Sequence, residues 1–175
     1  MEEQARSSLG LLALTAQRDL LFIRPLLKLD FTKMSFPDGE GGHLLEHVDT
    51  NYLCFEALTF MMEGAAMRSG YTLAEVREHL ISTVGSMGVP AARHRSRSIA
   101  DIVLETLSNA SNNYIQHRCS YFHAPSAETR WLGFRLLKFE PDAEDKHRRD
   151  LLCRKCFIGR HACATGRRGA LLRRH

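Results

Sequence analysis

The chain has 175 residues, 44% of them apolar, with 24 Lys and Arg against 20 Asp and Glu, enough to enclose one hydrophobic core with extensions rather than two cores. Ten of the basic residues but only one acid, Asp150, lie from Lys146 onward, so that tail carries +9 and residues 1–145 carry −5. These numbers exclude a membrane-spanning segment, since no apolar run approaches the roughly 20 residues a bilayer requires, and they exclude reading nucleic-acid binding from overall basicity.

Residues 1–24 read as an amphipathic helix with Leu9, Leu11, Leu12, Leu14, Leu20, Leu21 and Ile23 as its apolar positions. Pro25 is expected to end it, because proline has no N–H to donate and disfavours helix in the residue before it. The start, Met1-Glu2-Glu3, is acidic where a secretory leader is basic, so a cytoplasmic protein is expected. Residues 1–34 then form an N-terminal arm packed on the core or on a second subunit. Residues 35–43 are a loop by composition. Their glycines lack the Gly-Lys-Ser/Thr ending of a phosphate cradle, so the loop reads as a connector.

A helix over 50–68 follows, its stripe formed by Leu53, Cys54, Ala57, Leu58, Met61, Met62, Ala65 and Ala66, with Gly70 as its stop. Thr72 and Glu75 make an S/T-x-x-E capping box that opens a helix over 73–85, with Leu73, Val76, Leu80, Ile81 and Val84 inward. In the loop 86–97, Arg93, Arg95 and Arg97 with His94 form the one dense basic cluster of the body, placed to hold phosphate ahead of the next helix.

Ser98 and Asp101 are a second capping pair, predicting a helix over 98–117. Its buried stripe is Ile99, Ile102, Val103, Thr106, Leu107, Ala110 and Tyr114. Its outer face is Asp101, Glu105, Ser108, Asn109, Asn112, Asn113 and Gln116. Asn and Gln can read adenine with two hydrogen bonds. A recognition helix, however, reads bases through its N-terminal half, and Asp101 and Glu105 there repel phosphate, so this face is expected to meet a protein or solvent. A ribbon closes the body: strands over 120–124 and 130–139 about a turn at 125–129, with Trp131, Phe134, Leu136 and Phe139 against the helices. The turn carries Glu128, with Arg130 beside it.

Over residues 44–141 this order resembles the winged helix-turn-helix superfamily, and with its leading helix it is similar in architecture to kleisin-type subunits of bacterial condensin-like complexes. The expected fold is therefore mainly α with a small β-hairpin, winged-helix-like, plus an N-terminal helix and an irregular basic C-terminal tail. The resemblance implies a non-enzymatic module in a protein complex on or near DNA, as an accessory subunit of a chromosome-organising or defence complex. The alternative is a DNA-binding transcriptional regulator, with Arg93, Arg95, Arg97 and Arg130 on phosphates and Asn109, Asn112, Asn113 or Gln116 on bases. Either would meet a protein partner or a second copy through the N-terminal helix. No small-molecule substrate is evident.

The tail, 142–175, differs in composition. Cys153 and Cys156 form a C-x2-C pair, and His161 and Cys163 could complete four zinc ligands, a third reading as a zinc-knuckle nucleic-acid binder. A knuckle separates its last His and Cys by four residues, whereas Ala162 alone lies between them here, which would strain a tetrahedron; no cofactor is expected. The other cysteines, Cys54 and Cys119, are isolated and expected to stay reduced. The sudden rise in Arg, Cys, Gly, Ala and His is also what an out-of-frame read of a GC-rich gene gives, in which case the natural protein continues after 140–150 into further helical domains. No G-x-S-x-G, H-E-x-x-H or Walker motif occurs, so no enzyme is expected. His43 and His47, four apart, are a weak metal pair.

Overall fold

A continuous band of buried apolar side chains links every long helix of the chain to a short β-ribbon. The computed structural model describes residues 2–67, 70–137, 139–140 and 152–153. It is mainly helical with a small antiparallel hairpin, as the residue pattern predicts.

Helix α1 (Glu2–Phe31) runs through Pro25, where the sequence predicts its end. Proline inside a helix costs about 3 kcal/mol. Leu26 and Leu29, just beyond it, are 1% and 2% exposed, and burying two such side chains contributes about 3–6 kcal/mol, which offsets that loss. The arm thus enters the core at its C-terminal half, where the Phe22 ring meets Phe134 edge-on at a centroid distance of 4.8 Å. Past a 3-10 turn at Lys33–Ser35, the presumed connector is ordered: Pro37 bridges His43, and the Asp38 carboxylate accepts from the N–H groups of Glu40 and Gly42, both at 2.8 Å.

Asp49 caps helix α2 (Thr50–Met67), accepting from the Tyr52 N–H at 2.9 Å, which satisfies a donor the helix leaves unpaired. Leu53, Cys54, Ala57, Leu58 and Met61 are buried as the stripe predicts, but Met62 is 48% exposed and lies outside it. Gly70 takes φ +119° beyond the helix end. Strand β1 (Tyr71–Thr72) leads directly into helix α3 (Leu73–Ser86). The predicted capping box is formed: the Glu75 N–H donates to the Thr72 hydroxyl at 3.2 Å, and the Thr72 N–H to the Glu75 carboxylate at 2.7 Å. Phe60 of α2 stacks on Tyr71 at 4.0 Å and on His79 of α3 at 3.9 Å. Gly64 makes room for this, since a Cβ there would overlap the Tyr71 ring.

A one-turn helix α4 (Pro90–Arg93) occupies the basic loop, and helix α5 (Ser96–Ser108) starts before the predicted Ser98. Ser98 therefore sits inside the helix and caps nothing. Asp101 instead accepts from Arg77 Nε at 2.6 Å, tying α5 to α3. Helix α5 ends at Asn109, well short of the predicted 117, because the chain turns left-handed there, at φ 56°. Asn tolerates that conformation better than most residues, and Asn113 and Tyr114 share it. Ala110 and Tyr114 consequently leave the predicted buried stripe.

Strands β2 (His117–His123) and β3 (Glu128–Phe134) pair antiparallel from His117 opposite Phe134 to His123 opposite Glu128. Cys119, Leu132 and Phe134 are buried. Trp131, predicted to face the helices, is 66% exposed on the other face, as the two-residue period requires once Leu132 points inward. The second strand stops at Phe134 rather than 139. Leu136 and Leu137 remain buried, and Phe139–Glu140 forms a separate strand β4. Strand β5 (Leu152–Cys153) lies within the tail predicted to be irregular and pairs with both β1 and β4. Among the described residues the hairpin pairs only with itself, while β1, lying between two helices, joins a sheet of order β1-β5-β4.

Candidate functional site

The three arginines predicted to hold phosphate occupy three different places. Arg93 Nε donates to the Gly85 carbonyl at 3.1 Å, near the C-terminal end of α3, where a cation balances the partial negative charge of the helix. Arg95 is gripped by two acids of the 35–43 loop, Asp38 at 2.5 Å and Glu40 at 2.6 Å. Three donors, the Glu40 N–H first, then Arg95, then the Gly42 N–H, lower the Asp38 carboxyl to about 2. The Arg95 pKa is raised, first by its hydrogen bond to Asp38. Both prongs of the guanidinium are engaged within the molecule, so Arg95 holds the loop to α5 and is not presented to phosphate. Arg97 is exposed on the first turn of α5.

The candidate base readers do not lie on a helix face. Asn109 Nδ2 donates to the Ile115 carbonyl at 2.8 Å, Asn112 Nδ2 to Asn109 Oδ1 at 2.8 Å, and the Tyr114 N–H to the Asn109 carbonyl at 3.0 Å. Asn109 and Asn112 knit the turn between α5 and β2. Asn113 sits in the same turn in the left-handed region, and Gln116 is exposed just before β2. What α5 presents outward is Arg97, Ser98, Asp101 and Glu105, with Asp101 paired to Arg77 of α3; Glu75 and Glu78 of α3 are also exposed. Arg130 is exposed near the hairpin turn, 3.8 Å from Glu128.

Over residues 116–122 and 131–135 exposure in the hairpin alternates residue by residue. The inner positions include buried Cys119, Leu132 and Phe134. Every outer position from Gln116 to Phe122 and from Thr129 to Arg135 is exposed, with Trp131 at 66% and Phe122 at 54%. The Arg118 guanidinium lies over the Trp131 ring, 5.7 Å from its centroid. At the inner end of β2, desolvation lowers the His117 pKa, a hydrogen bond to the Leu107 backbone opposes that shift, and Lys28 adds to it.

Among the described residues no three His, Cys, Asp or Glu side chains are grouped to hold a metal ion. His43 is half-buried in the bridge to Pro37, with Nδ1 lacking a hydrogen-bond partner, and His47 is exposed. Of the predicted zinc ligands, Cys153 belongs to β5, and Cys156, His161 and Cys163 lie outside the described residues. Burial pushes the Cys54 thiol up to about 12, so it stays neutral. No helix among the described residues is long and apolar enough to cross a membrane.

Sequence reasoning missed the Asp38–Arg95–Glu40 cluster and the exposed ribbon face. The second was readable: alternation places Trp131 opposite in sense to Leu132, and it was the near-continuous apolar content of 131–139 that hid it. The first carried no local signal, since Asp38 and Arg95 lie 57 residues apart. No protein-family model, curated protein or solved structure matches this chain.

Proposed function

We propose that this chain is a non-enzymatic interaction module of winged-helix type that works within a protein complex on or near DNA, and that it self-associates through α1. The chain order of α2, the short strand β1, α3, α5 and then the β2–β3 hairpin supports the winged-helix reading. Exposed Asp101 and Glu105 on α5 and the engagement of Arg95 favour a protein-holding role over a duplex-reading regulator.

The observation that carries the proposal is that α1 has two apolar faces. Phe22, Leu26 and Leu29 pack inward, while Leu20, Leu27 and Phe31 are 62%, 38% and 84% exposed. Residues 20, 27 and 31, at spacings of seven and four, share one side of a helix. Ala16 and Ile23 fall on the same stripe. A second copy laid parallel would set Leu20, Ile23 and Leu27 against themselves. The same register brings Asp19 beside Arg24 of the other copy, the flanking-charge pairing that fixes orientation in two-stranded coils. Both residues are exposed.

Sedimentation equilibrium of the full chain tests this. The expected result is mass that rises with concentration for the native sequence and monomer mass for a Leu20→Glu, Leu27→Glu variant of unchanged helicity. A native chain that stays monomeric throughout, or a variant that associates equally well, would refute the proposal.

A further inference from the structure

The outer face of the β2–β3 hairpin lies apart from the α1 stripe and has a different composition. Its outward positions, 118, 120, 122, 129, 131, 133 and 135, hold two arginines, one tryptophan and one phenylalanine, with no acid and no aliphatic side chain. This lies in a body whose residues 1–145 carry net negative charge. Protein interfaces also enrich Trp, Phe and Arg, though around a largely apolar patch core; with Ser120, Thr129 and Gly133 between the arginines, this face has as its apolar content only the two rings. They suit stacking, where each base offers a flat face and needs only a ring beneath it.

We propose that this face binds single-stranded nucleic acid. Two successive bases lie on Trp131 and Phe122, and their phosphates pass Arg118 and Arg135. The register pairs Ser120 with Trp131 and Phe122 with Thr129, so the two rings are diagonal neighbours, about 7–8 Å apart at Cα. Arg118, over the Trp131 ring and 5.7 Å from its centre, sets a positive charge at the ring that a base would share, within reach of that base's phosphate. A duplex does not fit this chemistry, because its bases are already stacked on one another.

Trp131 is the one tryptophan of the sequence, so its fluorescence reports directly on the site. Titration of the full chain with a short oligothymidylate is expected to quench it, and the matching duplex to leave it unchanged. Anisotropy of the labelled oligonucleotide then compares variants whose folding is checked by circular dichroism. Trp131→Ala weakens binding by about tenfold, and Arg118→Ala lowers the salt slope of the affinity by about 0.7, the equivalent of one phosphate. The basic tail, at +9, is the competing source of affinity. Binding without quenching, or undiminished in Trp131→Ala, assigns the contact to the tail and overturns the proposal. Preference for duplex, or quenching only by a protein, overturns it as well.

Discussion

Arg95 and Asp38 meet across 57 residues of chain, Nη1 to Oδ2 at 2.5 Å, while the second nitrogen of the same guanidinium reaches Glu40. The pair fixes the 35–43 loop against the start of α5. The side chains are 21% and 11% exposed, between the exposed pairs that contribute little and the buried pairs whose disruption is severe. Arg95→Ala is therefore expected to lower the urea unfolding midpoint at neutral pH. Arg95→Lys keeps the charge but not the two-pronged geometry and falls between. Native stability in Arg95→Ala would return this residue to a surface role.

Asp38 gives the same cluster an acid limit. Its folded pKa of about 2 lies below the ordinary 3.8. As pH falls through that interval, the unfolded chain takes up a proton that the folded chain does not. The stabilisation is complete above the ordinary value and is lost on the way down to about 2. Asp38→Asn should flatten the stability curve between those limits, as read from unfolding midpoints across the acid range, and leave its slope near neutrality unchanged.

His117 acts in a higher window. Desolvation, with Lys28 nearby, holds its pKa below the ordinary 6.5. Below 6.5 the unfolded state binds the extra proton, so stability declines as pH drops from there. His117→Gln should reduce the difference in urea midpoint between pH about 7.5 and about 5.5. An undiminished difference would place the titrating group elsewhere.

Asn109 ends α5 in the left-handed region. Asn109→Gly keeps the backbone conformation and loses the side-chain hydrogen bonds to Ile115 and Asn112, and Asn109→Val should cost about 1–2 kcal/mol more than Asn109→Gly, because a β-branched side chain is strained at that φ. Thermal unfolding of the two variants decides it. Equal melting temperatures would show that the turn does not depend on this residue.

Local chemistry was legible wherever a short-range rule governed it. The Thr72–Glu75 box, the stripe of α3 and most of the stripe of α2 follow from residues three and four apart. Non-local energetics overrode such rules elsewhere. Burial of Leu26 and Leu29 carried α1 through Pro25, the Arg77–Asp101 pair took the acid expected to cap α5, and successive left-handed residues cut that helix short. Of the candidate phosphate and base contacts, Arg95 and Asn109 have internal partners that no local pattern announces.

The self-association of α1 through a parallel seam is tested most directly by exchanging its flanking charges. Asp19→Arg alone should weaken the dimer by about tenfold, since each of two symmetry-related attractions becomes a repulsion. Adding Arg24→Asp should restore it, measured by sedimentation equilibrium of both variants against the native chain. If the double variant stays as weak as the single one, or if neither differs from the native chain, the proposed pairing of these helices is contradicted.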